Sequence, residues 1–166
     1  MSYRQSLKKI KLLLLDVDGV LTDGGIYFSA SGEELKKFSV RDGYGIVKLQ
    51  KAGVVVGIVS GRSSRLVERR AKELGIRELH QGIESKIEFY RLLKKKYDLR
   101  DAEIAFIGDD EPDLEVLKTA GFSGAPSDAA KVVRDAVHYV CRNRGGEGAV
   151  REVVDLILKS RGHGKQ

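Results

Sequence analysis

Three observations predict a doubly wound α/β fold built on a mostly parallel sheet. An unbroken apolar run, Leu12 to Leu15 with Ile10 ahead of it, reads as a strand buried on both faces. From Gly43 onward, short β-branched or apolar runs alternate with helical patterns, and such alternation implies right-handed crossovers between parallel strands. Three of these strands end in loops rich in aspartate, serine and glycine, and ligands bind at the carboxyl edge of an open α/β sheet.

Taken in order, Ser2 to Lys9 is polar and basic, a loose lead-in to the first strand. That strand delivers Asp16 and Asp18 to the sheet edge. Side chains alternate along a strand, so the two carboxylates point one way and Val17 points back into the fold. Gly19 lets the chain turn. Gly24 to Val40 reads as a β-hairpin, with Ile26 and Phe28 on the way out, Ser29 to Gly32 as the turn, and Phe38 and Val40 alternating on the return. Its apolar side calls for a cover, such as a partner subunit. The remaining pattern predicts helices over about Tyr44 to Lys51, Ser63 to Leu74, Ser85 to Tyr97, Pro112 to Thr119, Ala129 to Arg134 and Gly148 to Lys159. Strands are predicted at Val54 to Val59, Glu78 to His80, Glu103 to Ile107, Phe122 to Ala125 and Val137 to Cys141.

A chain of 166 residues suits one domain, residues 1–166, able to bury a core without disulfides or structural zinc. The lone cysteine, Cys141, excludes an internal disulfide and reads as a buried structural thiol. No signal peptide opens the chain and no apolar run approaches the ~20 residues of a membrane span, so a soluble cytoplasmic protein is expected. The net charge of +6 is spread over helical segments interleaved with acids, which argues against nucleic acid and suits a small anionic substrate.

Asp16 and Asp18 repel one another unless a cation or a shared proton relieves them. The pair therefore indicates a metal site or an acid–base couple, against the plainer reading of a polar strand end before a glycine turn. Ser60-Gly61-Arg62 closes the Val54 to Val59 strand and is expected at a helix start, where N–H groups attract phosphate; Ser60 could equally be a helix cap. Gly108-Asp109-Asp110-Glu111-Pro112-Asp113 adds a second acidic cluster at the same edge. Pro112 fits the first helical position, and with Asp16 and Asp18 the acids form an oxygen-rich pocket suited to a hard cation such as Mg²⁺. Lys86, opening the long helix, would add a fixed positive charge there, against the plainer reading of one surface lysine among many.

DVDGVLTD from Asp16, VSGR from Val59, Lys86 and IGDDEPD from Ile107, in that order, resemble the four motifs of the haloacid dehalogenase (HAD) superfamily of phosphatases. FSVRDGYGI from Phe38, LHQG from Leu79 and GGEGAVREVVDLIL from Gly145 are similar to the family of 3-deoxy-D-manno-octulosonate 8-phosphate (KDO 8-phosphate) phosphatases. The resemblance implies a Rossmann-like core with a small hairpin flap and no separate cap domain. It implies Asp16 as nucleophile, Asp18 as general acid and base, and Mg²⁺ held by the Asp16 carboxylate, the Asp18 carbonyl and Asp109. Ser60, Gly61 and Lys86 would hold the phosphoryl group, and Asp110 and Asp113 would orient water and Lys86. Arg62, with Arg41, Gln81 and Arg65, would contact the sugar acid, and hairpins would join subunits into a homotetramer. The Arg142 to Gly148 loop reads either as a substrate contact or as a flexible helix entry. Other readings are a phosphatase for a nine-carbon sugar-acid phosphate, a phosphatase-like scaffold without activity, and a signalling receiver domain, which the position of the Asp-x-Asp pair on the first strand disfavours.

Overall fold

The computed structural model describes residues 6–32 and 34–162. In chain order its elements are β1 (Leu12–Leu15), β2 (Tyr27–Phe28), β3 (Glu34–Leu35), α1 (Val40–Lys51), β4 (Val55–Val59), α2 (Arg65–Glu73), β5 (Glu78–His80) and α3 (Lys86–Lys96). They continue with β6 (Ile104–Ile107), a 3₁₀ turn at Glu111–Asp113, α4 (Leu114–Thr119), β7 (Phe122–Ala125), α5 (Lys131–Arg134), β8 (Tyr139–Val140) and α6 (Ala149–Ser160).

The four leucines of β1 explain the layering. Leu13 and Leu15 join the core under α1, α2 and α6, with Ile46, Val67 and Val154, whereas Leu12 and Leu14 join the opposite core, with Ile87, Tyr90, Val116 and Val133. A strand apolar on both faces must sit in the middle, and β1 does: the sheet runs β5-β4-β1-β6-β7-β8, every pairing parallel. Leu15 pairs with Ile58 on one side and Ile107 on the other, so β1, β4 and β6 finish nearly level. Adjacent strands lie about 4.8 Å apart, which gathers the three loops beyond these ends into one place.

Several predicted boundaries move. The hairpin is shorter than Gly24 to Val40: among the described residues only Tyr27 and Phe28 pair with Leu35 and Glu34, and Phe38 keeps a single bridge to Thr22. Ser39 ends it by capping α1, its hydroxyl accepting the Asp42 N–H at 3.3 Å, so Val40 is helical rather than extended. Helix α2 starts at Arg65, with Ser64 as its cap, so Ser60-Gly61-Arg62 lies in the loop before the helix rather than at its start. Strand β8 is trimmed to Tyr139–Val140. Part of the Ser2 to Lys9 lead-in lies outside the described residues, but Leu7 is packed in the core.

Cys141 is buried, donates to the Ala149 carbonyl and has its thiol pushed up to about 12, chiefly by burial, as an inert structural cysteine should. Asp42 is buried too. Its oxygens accept N–H bonds from Gly148 at 3.2 Å and Arg151 at 2.7 Å, so α1 caps the N-terminus of α6. Among the described residues no helix is long and apolar enough to cross a membrane.

Leu14 touches the second core and stands 2.8 Å from where a Cβ on Gly57 would lie. Leu14→Ala is expected to cost about 2–5 kcal/mol, read as a lowered urea midpoint with an unchanged slope; a midpoint equal to the parent's would contradict the buried, close-packed β1.

Candidate active site

Beyond the ends of β1, β4 and β6 lies an open cleft of about 360 Å³ lined by Asp16, Asp18, Ser60, Gly61, Arg62, Lys86, Asp109, Asp110 and Asp113, among others. The sheet order thus brings together every catalytic, metal and phosphate-binding candidate named from the sequence.

At its floor Lys86, the first residue of α3, places its ammonium 3.0 Å from Asp16 Oδ1 and donates to Asp113 Oδ1 at 2.6 Å. Ser85 ahead of it caps the helix and aims that residue inward. Asp113 spends its other oxygen on the Asp109 and Asp110 N–H groups at 3.0 and 3.4 Å, which folds the acidic loop around it. Asp110 caps the 3₁₀ turn through the Glu111 N–H. Asp113 therefore braces Lys86 and the loop.

Carboxylate oxygens of Asp16, Asp109 and Asp113 lie within 4.8 Å of one another. Burial, then the charge of Asp113, pushes Asp16 up to about 6 despite Lys86. Burial, then the charges of Asp16 and Asp113, pushes Asp109 up to about 8. Burial alone would lower Lys86, but the Asp16 and Asp113 charges outweigh it and raise it. The protein's own cation leaves this cluster short of positive charge, and hard oxygen donors in such a deficit fit a divalent cation.

The Asp18 side chain belongs to a different group. It bonds Lys36 Nζ and faces Arg62 Nε at 3.7 Å, so any share it has in a metal site falls to its main chain. Ser60 is buried beside the cleft, its hydroxyl accepting the Arg62 N–H at 3.3 Å.

Other candidates stand elsewhere. Gln81 accepts the Ser64 N–H at 2.9 Å and reaches Glu68, bracing α2. Arg65 lines a groove between the hairpin and α2, and Arg41 lines one beside α6 with Asn143 and Glu147. None of these three lines the cleft.

Two features escaped the sequence reading. Lys36 is one; its signal was the period-two spacing from Glu34, which puts both charges on the face opposite Leu35. The other is what the glycine loop packs against. A Cβ on Gly145 would sit 1.8 Å from the Gly19 carbonyl oxygen, and one on Gly146 would sit 2.6 Å from the Asp23 nitrogen, while the Gly146 N–H donates to Val20 O at 3.0 Å. The loop is a close-packed backing for the Asp16 to Asp23 turn. Gly19 itself has φ +82, and a Cβ there would meet Asp109 Oδ2 at 2.1 Å.

A haloacid dehalogenase-like hydrolase family matches residues 40–121. The chain is 47% identical over 154 residues to the 3-deoxy-D-manno-octulosonate 8-phosphate phosphatase KdsC of Yersinia pestis, covering 93% of this chain and 82% of that protein. It is 45% identical over 155 residues to that of Escherichia coli K12, with the same coverages of 93% and 82%. The crystal structure of the Moraxella catarrhalis phosphatase of that name, in complex with magnesium ion, phosphate ion and KDO, superposes with TM-score 0.95 at 42% identity, over 98% of this chain and 93% of that one.

Because Asp16 and Asp109 are raised from 3.8 to about 6 and about 8, they bind protons more tightly folded than unfolded. Their contribution to stability is full below pH about 4 and is lost as pH rises through 6 to 8. Thermal unfolding in EDTA should therefore show the parent losing stability relative to Asp109→Asn over that range, with added Mg²⁺ restoring it near pH 8. Parallel pH profiles for the two proteins in EDTA would refute the charge-deficient cluster.

Proposed function

The chain belongs to the haloacid dehalogenase-like hydrolases, within the family of KDO 8-phosphate phosphatases, and from that membership we propose that it hydrolyses KDO 8-phosphate to KDO and inorganic phosphate. The observation that carries the reading is a buried Asp16, held by Lys86, in a cleft that Ser60 and Asp109 share. Asp16 is the nucleophile: its carboxylate attacks phosphorus, and an aspartyl-phosphate forms as the sugar oxygen departs, splitting one hard displacement into two easier ones. Lys86 aims Asp16 and faces the phosphoryl oxygens, which Ser60 and the Gly61 main chain help to hold. Asp18 protonates the departing oxygen and then takes a proton from the water that attacks the aspartyl-phosphate.

Mg²⁺ would be held by Asp16, the Asp18 carbonyl and Asp109, and when bound supplies positive charge that offsets repulsion between the nucleophile and the phosphate dianion. Asp110 and Asp113 support this set from behind. Arg62, its side chain 55% exposed at the cleft mouth, is placed to pair with the sugar-acid carboxylate.

The chain acts as one hydrolase domain over residues 1–166, in the cytoplasm, and the KDO it frees serves lipopolysaccharide synthesis. Tyr27, Phe28, Leu35, Val40 and Tyr44 are exposed on and beside the hairpin, an apolar surface that suits packing between hairpins in a homotetramer. Arg41 and Arg65, outside their own cleft, are free to serve a neighbour's.

Phosphate release from KDO 8-phosphate, from a nine-carbon sugar-acid phosphate and from common sugar phosphates, with Mg²⁺ or EDTA, tests the reading. A metal-dependent preference for KDO 8-phosphate, abolished in Asp16→Asn, is expected. An even spread over the panel would discard the substrate, and activity surviving in Asp16→Asn would discard the mechanism.

A further inference from the structure

The hairpin carries its polarity inside out. Tyr27, Phe28 and Leu35 face solvent, while Lys36 turns inward with its side chain 1% exposed. An ammonium withdrawn from water that far needs paired charge, and it has two partners: Asp18 Oδ1, which it hydrogen-bonds, and Glu34 Oε1 at 3.3 Å. Arg62 Nε approaches the other Asp18 oxygen, Oδ2, at 3.7 Å, longer than a hydrogen bond.

We propose that Lys36 is a positioning residue for catalysis: borne on the hairpin, it holds Asp18 by Oδ1 and so leaves Oδ2, on the cleft side toward Arg62, as the oxygen that carries the transferred proton. The proposal rests on the reading of Asp18 as general acid and base. As the Asp16–phosphorus bond forms and the bond from phosphorus to the sugar oxygen breaks, the proton on Oδ2 passes to that oxygen and Asp18 is left a carboxylate facing the Lys36 ammonium. In the second half the attacking water returns a proton to Oδ2. Glu34, at the start of β3, holds the same ammonium from its other side at 3.3 Å. Seating of the hairpin thereby becomes a condition for proton transfer.

The test compares kcat/KM, which reports steps through departure of the leaving group, for two substrates. KDO 8-phosphate releases a sugar alkoxide that needs a proton; p-nitrophenyl phosphate releases a phenolate that does not. The proteins are the parent, Lys36→Met, Lys36→Arg and Asp18→Asn, each checked for thermal midpoint and oligomeric state. Lys36→Met should lose about 100-fold on KDO 8-phosphate, the scale of a misplaced catalytic group, and about tenfold or more less than that on p-nitrophenyl phosphate. Lys36→Arg, which retains the charge, should recover part of the difference. Equal losses on both substrates would mean that Lys36 only supports the fold, and no loss would mean that it does nothing; either overturns the proposal. If Asp18→Asn separates the substrates and Lys36→Met does not, the Lys36 proposal alone fails. If Asp18→Asn does not separate them, the reading of Asp18 falls and this proposal falls with it.

Discussion

The ammonium of Lys86 is the interaction on which the rest of the cleft depends. It stands at the N-terminal end of α3, where the helix dipole disfavours a cation by roughly 0.3–1 kcal/mol. What makes the placement favourable is the meeting of Asp16 and Asp113 around it, 3.0 and 2.6 Å away. Three separate stretches of chain meet in that contact: the end of β1, the loop after β6 and the start of α3. One cation among three converging carboxylates still leaves negative charge in excess, visible in the raised Asp16 and Asp109, and that excess suits the site to a divalent ion.

Around this centre, backbone proximity does work that side chains do not. Gly145 and Gly146 lie against the Gly19 to Asp23 turn at distances no Cβ would allow, and Gly19 lies against Asp109 in the same way. The loop that carries Asp16 is thus clamped between two neighbouring loops. A site built on loops needs such support, because a displacement of about 1 Å in a reacting group costs roughly 100-fold in rate.

The hairpin completes the arrangement with two faces of opposite character. Glu34 and Lys36 turn toward Asp18, and the aromatic and leucine side chains turn to solvent. A two-residue strand pair is too small to be stable by itself, so the inner ion pairs tie it to the site while its apolar exterior stays exposed. The cleft beside the hairpin stays open.

The sequence by itself determined the strand and helix alternation, the burial of β1 on both faces and the acidic character of the sheet edge. These are local properties: the apolar period reports burial, and the residues that end a strand report what reaches its rim. The resemblance of four ordered motifs let Asp16, Ser60, Lys86 and Asp109 be named as one group, although only the strand order β4-β1-β6 makes them neighbours. The tertiary structure alone decided that Ser39 would end the hairpin early, that Asp42 and Gln81 would serve helix ends, that the glycine loop would back the Asp16 turn, and that Lys36 would reach Asp18. Each of these joins groups whose partners depend on where the backbone carries them. A lysine or a glycine looks the same in sequence whether water or a carboxylate lies in front of it, and only the packed chain settles which.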